Sequence, residues 1–436
     1  MQRWKWLYPG MRVKRFMVVI ILGVFLVGVG SAFLVNTTFL AALETKLLAR
    51  IASISVWGHG FTGLALIIIG LGILLLGMRN LVHSIAESLL PRGEKSLAPW
   101  LYRKRSLAKG PKIVVVGGGT GLSTMLRGLK EYSDNITAIV TVADDGGSSG
   151  RIRDELGILP PGDVRNTIVS LADTEPLMER LFQYRFSWGQ GLQGHSFGNL
   201  FIAAMTDITG DFEEAIREMS KVLAVRGRVL PATLATVKLR ARYEDGEEVV
   251  GESHIPQEGK AISQVFLEPG HVRALPEALD AIAQADVVVL GPGSLYTSII
   301  PNLLVGQIPD ALSRTQALRI YVCNVMTQPG ETEAMTAAQH VKALLDHAGR
   351  RKLVDVCLVN DEEVSAEQAQ KYATQGAYAI EPDVDELRRL GLEVRAAKLL
   401  DAQDLVRHDP RKLAQEIIRM VEVKTGTSWW DKNVGS

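Results

Sequence analysis

Two long stretches near the amino end carry no formal charge: Phe16–Leu43 and Ile51–Met78, 28 residues each, with His59 as the one titratable side chain between them. A run of that length exceeds the ~20 residues needed to cross the hydrocarbon of a bilayer as a helix. A cleaved signal peptide fits poorly, because the first run is too long and a second follows it. Spanning helices are expected at about 16–42 and 54–78. Gly23, Gly28 and Gly30 in the first run, and Gly63, Gly70 and Gly72 in the second, would let the two helices approach closely.

Basic residues set the expected orientation. Arg3, Lys5, Arg12, Lys14 and Arg15 precede the first run, and only Lys46 and Arg50 separate the two. Arg79, Arg92, Lys95, Arg103, Lys104, Arg105 and Lys109 follow the second. The positive-inside rule then predicts a multi-pass protein of the cell membrane, with both termini and the main domain cytoplasmic. Trp4, Trp6, Tyr8 and Trp57 lie where interfacial aromatics belong. Two spans per chain are too few for a channel or transporter. Residues 1–80 are thus read as an anchor and 81–110 as a basic juxtamembrane linker, free or resting on anionic lipid.

The formal net charge of zero hides a split. Residues 1–110 hold 14 basic and three acidic residues; residues 111–436 hold 34 basic and 45 acidic. The larger part is acidic, which argues against nucleic-acid binding through bulk positive charge. Two cysteines, Cys323 and Cys357, form no disulfide framework or metal cluster.

From Lys112 the hydrophobic pattern changes to short β-branched runs alternating with amphipathic helices. Strands are expected at 112–116, 136–142, 286–290, 319–323 and 353–359. Helices are expected at 122–131, 197–207, 212–223, 335–347 and 411–423. A hairpin is signalled by Asp245-Gly246. This order predicts an α/β fold with a Rossmann-like, mostly parallel sheet covered by helices on both faces. Ligands in such sheets bind beyond the carboxyl ends of the strands.

The polar motifs fall mostly at those ends. Gly117-Gly-Gly-Thr-Gly-Leu-Ser123 follows the first strand. Its glycines allow close backbone approach, and the helix start offers free N–H groups to a phosphate; a tight structural turn is the alternative. The third glycine of a dinucleotide fingerprint is replaced by Leu122, and no Gly-Lys-Ser/Thr ending is present. Ala143-Asp-Asp-Gly-Gly-Ser-Ser-Gly-Arg151 follows the second strand. Asp144 and Asp145 could hold Mg²⁺, take a substrate proton or bond a ribose, or could simply shape an Asx turn. In Pro160-Pro-Gly-Asp-Val-Arg-Asn166, Asp163 could cap a helix while Arg165 and Asn166 read phosphate or base. Gly194-His-Ser-Phe-Gly-Asn199 offers His195 as an acid or base, though lone histidines are usually structural. Leu290-Gly-Pro-Gly-Ser-Leu-Tyr-Thr-Ser298 is a second anion cradle. Asn324-Val-Met-Thr-Gln-Pro-Gly-Glu-Thr332 follows a further strand. Asp409 and Pro410 read as N-cap and first residue of a terminal helix. No nucleophile–base pair of a hydrolase can be assembled.

Taken together and in order, GGGTG, ADDGGSSGR, PGDVRN, GHSFGN, GPGSLYTS and NVMTQPGET resemble the CofD/YvcK family from about Lys112 to about Lys424. The family comprises 2-phospho-L-lactate transferases of deazaflavin coenzyme synthesis, assisted by Mg²⁺, and YvcK-like gluconeogenesis factors. NVMTQPGET and the segment around His408 look like the YvcK-like branch. That branch implies UDP-sugar binding and a role in cell shape and wall synthesis during gluconeogenic growth.

The resemblance implies nucleotide and phosphate contacts at Gly118, Gly119, Thr120, Gly121, Arg165, Asn166, Ser196, Asn199, Gly291, Gly293, Ser294, Asn324, Thr327 and Gln328. It implies a metal or acceptor side at Asp144 and Asp145. A transferase activity is the alternative to a pure binding role. A nicotinamide-dependent oxidoreductase is a lesser alternative, and no nicotinamide or flavin is expected. Cell-wall synthesis proteins and a second copy of the chain are the expected partners, and the two-helix anchor departs from the family pattern. Residues 425–436 read as a tail.

Overall fold

A computed structural model describes residues 13–35, 59–89, 97–173, 176–401 and 406–429. The chain divides into two compact units, Met1–Lys104 and Arg105–Ser436.

The first unit contains the helices α1 (Val13–Val35) and α2 (His59–Leu89). They pack along glycines spaced seven apart: Gly23 faces Gly70, Gly30 faces Gly63, and Gly77 faces Val19 and Ile20. A Cβ on Gly23 would lie 2.8 Å from the Leu74 nitrogen, and one on Gly30 would lie 2.7 Å from the Gly63 carbonyl. Gly28 and Gly72, also expected at the interface, face open space instead. Seven-residue spacing keeps one seam in register between two helices. The large apolar side chains turn outward, Val18 and Ile68 being 64% and 63% exposed. Among the described residues one helical stretch, Gly63–Val82, is long and apolar enough to cross a membrane; Met17–Ser31 is apolar but shorter. Trp4, Trp6, Tyr8, Trp57 and the basic residues before Val13 lie outside the described residues, as does the expected end of the first span.

The expected linker contains a helix, α3 (Leu97–Ala108). The second unit is built on seven parallel strands: β1 (Ile113–Gly117), β2 (Ile136–Val140), β3 (Arg228–Pro231), β7 (Val287–Leu290), β8 (Leu318–Val322), β9 (Val356–Asn360) and β10 (Glu393–Ala397). Their order is β10-β9-β8-β7-β1-β2-β3. β1, β2, β7 and β8 are buried throughout, which explains their continuous apolar runs. The chain runs outward from β1 through β2 to β3. It then returns to β7, on the other side of β1, and runs outward again. The switch point, where ligands bind in open α/β sheets, is therefore between β1 and β7.

The expected hairpin is present. β4 (Lys238–Tyr243) pairs antiparallel with β5 (Glu248–Val250), and β6 (Ile262–Glu268) pairs with the other edge of β4. This three-stranded sheet is separate from the main one. The helices of the site are α4 (Gly119–Leu129), α5 (Gly147–Leu156), α6 (Gly162–Leu171), α7 (Pro176–Gln183) and α8 (Phe197–Thr209). The terminal helix α9 (Pro410–Thr425) starts as expected, with the Asp409 carboxylate accepting from the Arg411 and Lys412 N–H groups. α4 begins at Gly119, so the glycine motif is the first helical turn rather than a loop before it.

Candidate functional site: a glycine-loop cleft beside a carboxylate cluster

β1 and β7 are paired neighbours, so the GGGTG and GPGS motifs meet at the switch point. Gly119 has φ +68°, and a Cβ on Gly121 would sit 2.7 Å from the Pro292 carbonyl. Only glycine permits this turn and this approach. The cleft between the motifs has a volume of about 260 Å³. Backbone and hydroxyls of Gly119–Gly121 and Gly293–Ser294 line it, with Met326, Arg407 and His408. No carboxylate lines it, and Arg407 is its one formal cation. The amino end of α4 opens into the same place, which favours an anion.

The NVMTQPGET segment braces this cleft. The Asn324 amide accepts from the Gly293 N–H at 3.2 Å and donates to the Gly293 carbonyl at 2.8 Å. Ser294 Oγ donates to Gln328 Oε1 at 2.7 Å, and Gln328 Nε2 donates to Glu331 Oε1 at 2.7 Å. Glu331 also accepts from Thr297 Oγ1 and the Tyr296 N–H. Burial pushes the Glu331 carboxyl up to about 7, against the pull of those donors. Gln328 and Asn324 are therefore oriented before any ligand arrives. Thr327 is engaged elsewhere: its backbone and hydroxyl both bond Tyr378.

A carboxylate cluster borders the cleft. Asp163 does not cap α6. Its Oδ1 accepts from the Gly119 N–H at 3.0 Å, and the N-cap position is Pro161. Burial, then the neighbouring Asp144, pushes Asp163 up to about 7. Burial also raises Asp144, whose Oδ1 accepts from the Gly146 N–H. Asp145 Oδ1 accepts from the Ser253 N–H at 2.9 Å and so holds the turn after β5. That turn delivers Glu252. Burial, followed by Asp144 and Asp163, pushes Glu252 up to about 8.

Among the described residues no three ligating side chains converge as a ready metal cage. Mg²⁺ ordinarily uses one or two carboxylates plus substrate phosphates. Asp144 and Asp163 fit that role, since burial raises both carboxyls and a bound cation would favour their charged form.

The remaining expected residues form a second group. His195 is buried, with Nδ1 3.1 Å from Ser148 Oγ. Burial, then Arg151, lowers its pKa and favours the neutral ring. Ser196 caps α8 by accepting from the Asn199 N–H. Asn199 Nδ2 donates to Ser148 Oγ, and its Oδ1 is buried without a partner. Arg165 donates to Ser196 Oγ and to Asn166 Oδ1. None of these residues lines the glycine-loop cleft. Arg165 adjoins it indirectly, through its electrostatic contact with Asp144 and Asp163.

Sequence reasoning left Glu252, Glu331, Arg407 and His408 out of the site and read Asp163 only as a helix cap. Glu331 and His408 stood inside motifs already singled out. Glu252 stood in none, and only the packing of the small sheet brings it in. His408 is fully buried, hydrogen-bonded to the Cys323 backbone, and its pKa is lowered to about 4 by burial.

The family described as 2-phospho-L-lactate transferase CofD matches residues 113–400. The chain belongs to the CofD family. A putative gluconeogenesis factor of Nostoc sp. is 50% identical over 423 residues, covering 96% of this chain and 92% of that protein. The gluconeogenesis factor of Bacillus subtilis is 53% identical over 317 residues, 72% of this chain and all of that one. A crystal structure of a UPF0052 family member from Bacillus halodurans has a TM-score of 0.68 and 52% identity, covering 71% of this chain and 99% of that one. Within its family the chain thus resembles the gluconeogenesis factors.

Proposed function

We propose that the glycine-loop cleft binds the diphosphate of a nucleotide sugar, in particular a UDP-sugar. In this reading the protein is a YvcK-like factor for cell shape and wall synthesis during gluconeogenic growth. One observation carries the reading: a cleft at the β1/β7 switch point, free of carboxylates, lined by glycines and hydroxyls and open to the start of α4. Ser294, Asn324 and Gln328 shape it, and Arg407 supplies the charge. Calorimetry of the full chain in detergent with UDP-N-acetylglucosamine tests it. Saturable binding is expected. Absence of binding at millimolar ligand sinks it.

A transferase reading is favoured by the Asp163–Gly119 hydrogen bond, which joins the phosphate loop to a carboxylate pair. Asp144 and Asp163 would hold Mg²⁺, which would neutralise charge on the ligand phosphates. This reading predicts Mg²⁺-dependent transfer of a phospholactyl group to a deazaflavin acceptor, with GMP released from a donor in which one diphosphate joins lactate to guanosine. Undiminished release by Asp144→Asn contradicts it.

The α1/α2 hairpin is read as the membrane anchor, with the second unit cytoplasmic. Glycines inside and large apolar side chains outside suit lipid, where packing rather than burial joins helices. Relocation to the cytosol on deletion of residues 1–80 is expected. Persistent membrane association would contradict the reading. A homo-oligomer and partners in wall synthesis are part of the same proposal.

A further inference from the structure

The second group of residues carries a feature that the cleft does not use. Three guanidinium groups converge on the turn that leads into α8. Arg151 Nη2 donates to the Gln193 carbonyl at 2.9 Å, and Arg185 Nη1 donates to the Gly194 carbonyl at 2.7 Å. Arg165 packs against Gly198, where a Cβ would lie 2.7 Å from its Cδ, and bonds Ser196 Oγ. Electrostatics link the group through Arg165 and His195. Arg185 disfavours the charge on Arg165, and Arg151 and Arg185 both disfavour a charge on His195.

No carboxylate forms an ion pair with any of the three among the described residues, although 22 other pairs of the second unit do so. The charges that face the group, Asp144, Asp163 and Glu155, act only at longer range. Arg165 is partly buried, its partners are a neutral hydroxyl and a neutral amide, and its Nε has no partner at all. A half-buried guanidinium with no counter-charge in direct contact is costly. Like charges brought together on an acidic domain need an anion to offset them. The amino end of α8, 13 residues long, adds its partial positive charge at the same place.

We propose that Arg151, Arg165 and Arg185, with Ser196 and the start of α8, form a second oxyanion site distinct from the glycine-loop cleft. Its ligand carries a phosphoryl or carboxylate group. Arg165 also interacts with Asp144 and Asp163, and none of the three arginines lines the nucleotide cleft. The protein then holds two ligands at once.

The test is calorimetry of the full chain in detergent at low chloride. Inorganic phosphate and citrate are titrated separately, which tells phosphoryl from carboxylate preference. Each titration is run with and without saturating UDP-N-acetylglucosamine. Saturable binding of at least one anion is expected, unaffected by the nucleotide sugar. Arg151→Gln and Arg185→Gln, both at exposed positions, should each weaken it about tenfold or more. Arg350→Gln, which removes an equally exposed arginine elsewhere, should leave it within twofold. No saturable binding of either anion at 10 mM (about a hundred times a weak site's expected micromolar range) overturns the proposal. So does unchanged affinity in both arginine variants, or displacement by the nucleotide sugar. Failure of the nucleotide sugar to bind, with anion binding intact, overturns only the nucleotide reading.

Discussion

The Asp163 carboxylate accepts the Gly119 N–H at 3.0 Å, and so joins the start of α6 to the first turn of α4. Burial and then the neighbouring Asp144 raise the Asp163 pKa, while burial and then Asp145 raise that of Asp144. The phosphate loop and the carboxylate cluster are therefore one mechanical unit. Asp163→Ala, which removes the acceptor without adding bulk, should loosen the Gly119 turn and weaken nucleotide binding at least tenfold. Calorimetry with UDP-N-acetylglucosamine reads the change. Affinity within twofold of the parent chain would contradict the coupling.

The raised carboxyls set a pH dependence. Asp163 and Glu331 are pushed up to about 7 and Glu252 to about 8. For such acids the folded state binds protons more tightly than the unfolded state. Stability is greatest below the unfolded values, near pH 4, and falls as pH rises through the folded values. Thermal unfolding of the second unit, followed by near-ultraviolet dichroism of the ligand-free chain, should show a midpoint that drops between pH 5 and pH 8.5. Glu331→Gln should flatten that drop. A profile rising over this window would show the opposite sign.

Gly128 lies under the start of α9. A Cβ there would come 1.9 Å from the Pro410 carbonyl and 3.0 Å from Ala414 Cβ. That contact fixes α9 against α4 and thereby seats Arg407 and His408 at the cleft. Gly128→Val should destabilise the second unit by about 3 kcal/mol, the upper end of the usual cost of overpacking. Gly391→Ala, whose Cβ would meet nothing within 4 Å but whose φ is +82°, should cost less, about 1–2 kcal/mol of backbone strain. Differential calorimetry would rank the two.

In the first unit, two glycine classes should behave differently. Gly30→Leu and Gly70→Leu put side chains into backbone at 2.7–2.8 Å, whereas Gly28→Leu and Gly72→Leu meet nothing within 4 Å. Cysteines introduced by Val27→Cys and Leu74→Cys should cross-link readily in the parent chain and in the Gly28 and Gly72 variants. Cross-linking should fall severalfold in the Gly30 and Gly70 variants. Equal yields in all four would contradict the glycine seam.

The local pattern of the chain was enough to show a parallel α/β core, the place of most motifs at strand ends and the Asp409 cap of the last helix. These are properties of neighbouring residues: β-branched runs stop at glycines, and a cap bonds the next turn of its own helix. The first expected span is described only as far as Val35. The local pattern read Asp163 as a helix cap. The residue stands at the start of α6, but its hydrogen-bond partner is 44 positions away on another strand end.

The division of the site was likewise a matter of tertiary structure. In the sequence, Gly119, Arg165, Asn199 and Ser294 look like parts of one groove. The sheet order puts β7 beside β1, so the loops holding Gly119 and Ser294 share a cleft. Arg165, Ser196 and Asn199 do not line that cleft and are tied to one another and to Ser148 instead. Glu252 enters the cluster only because Asp145 grips the turn after β5. The sequence by itself determined which residue types stand at the ends of the strands. Which of them face one another was decided by strand order and by hydrogen bonds between distant turns, since neither leaves a periodic trace along the chain.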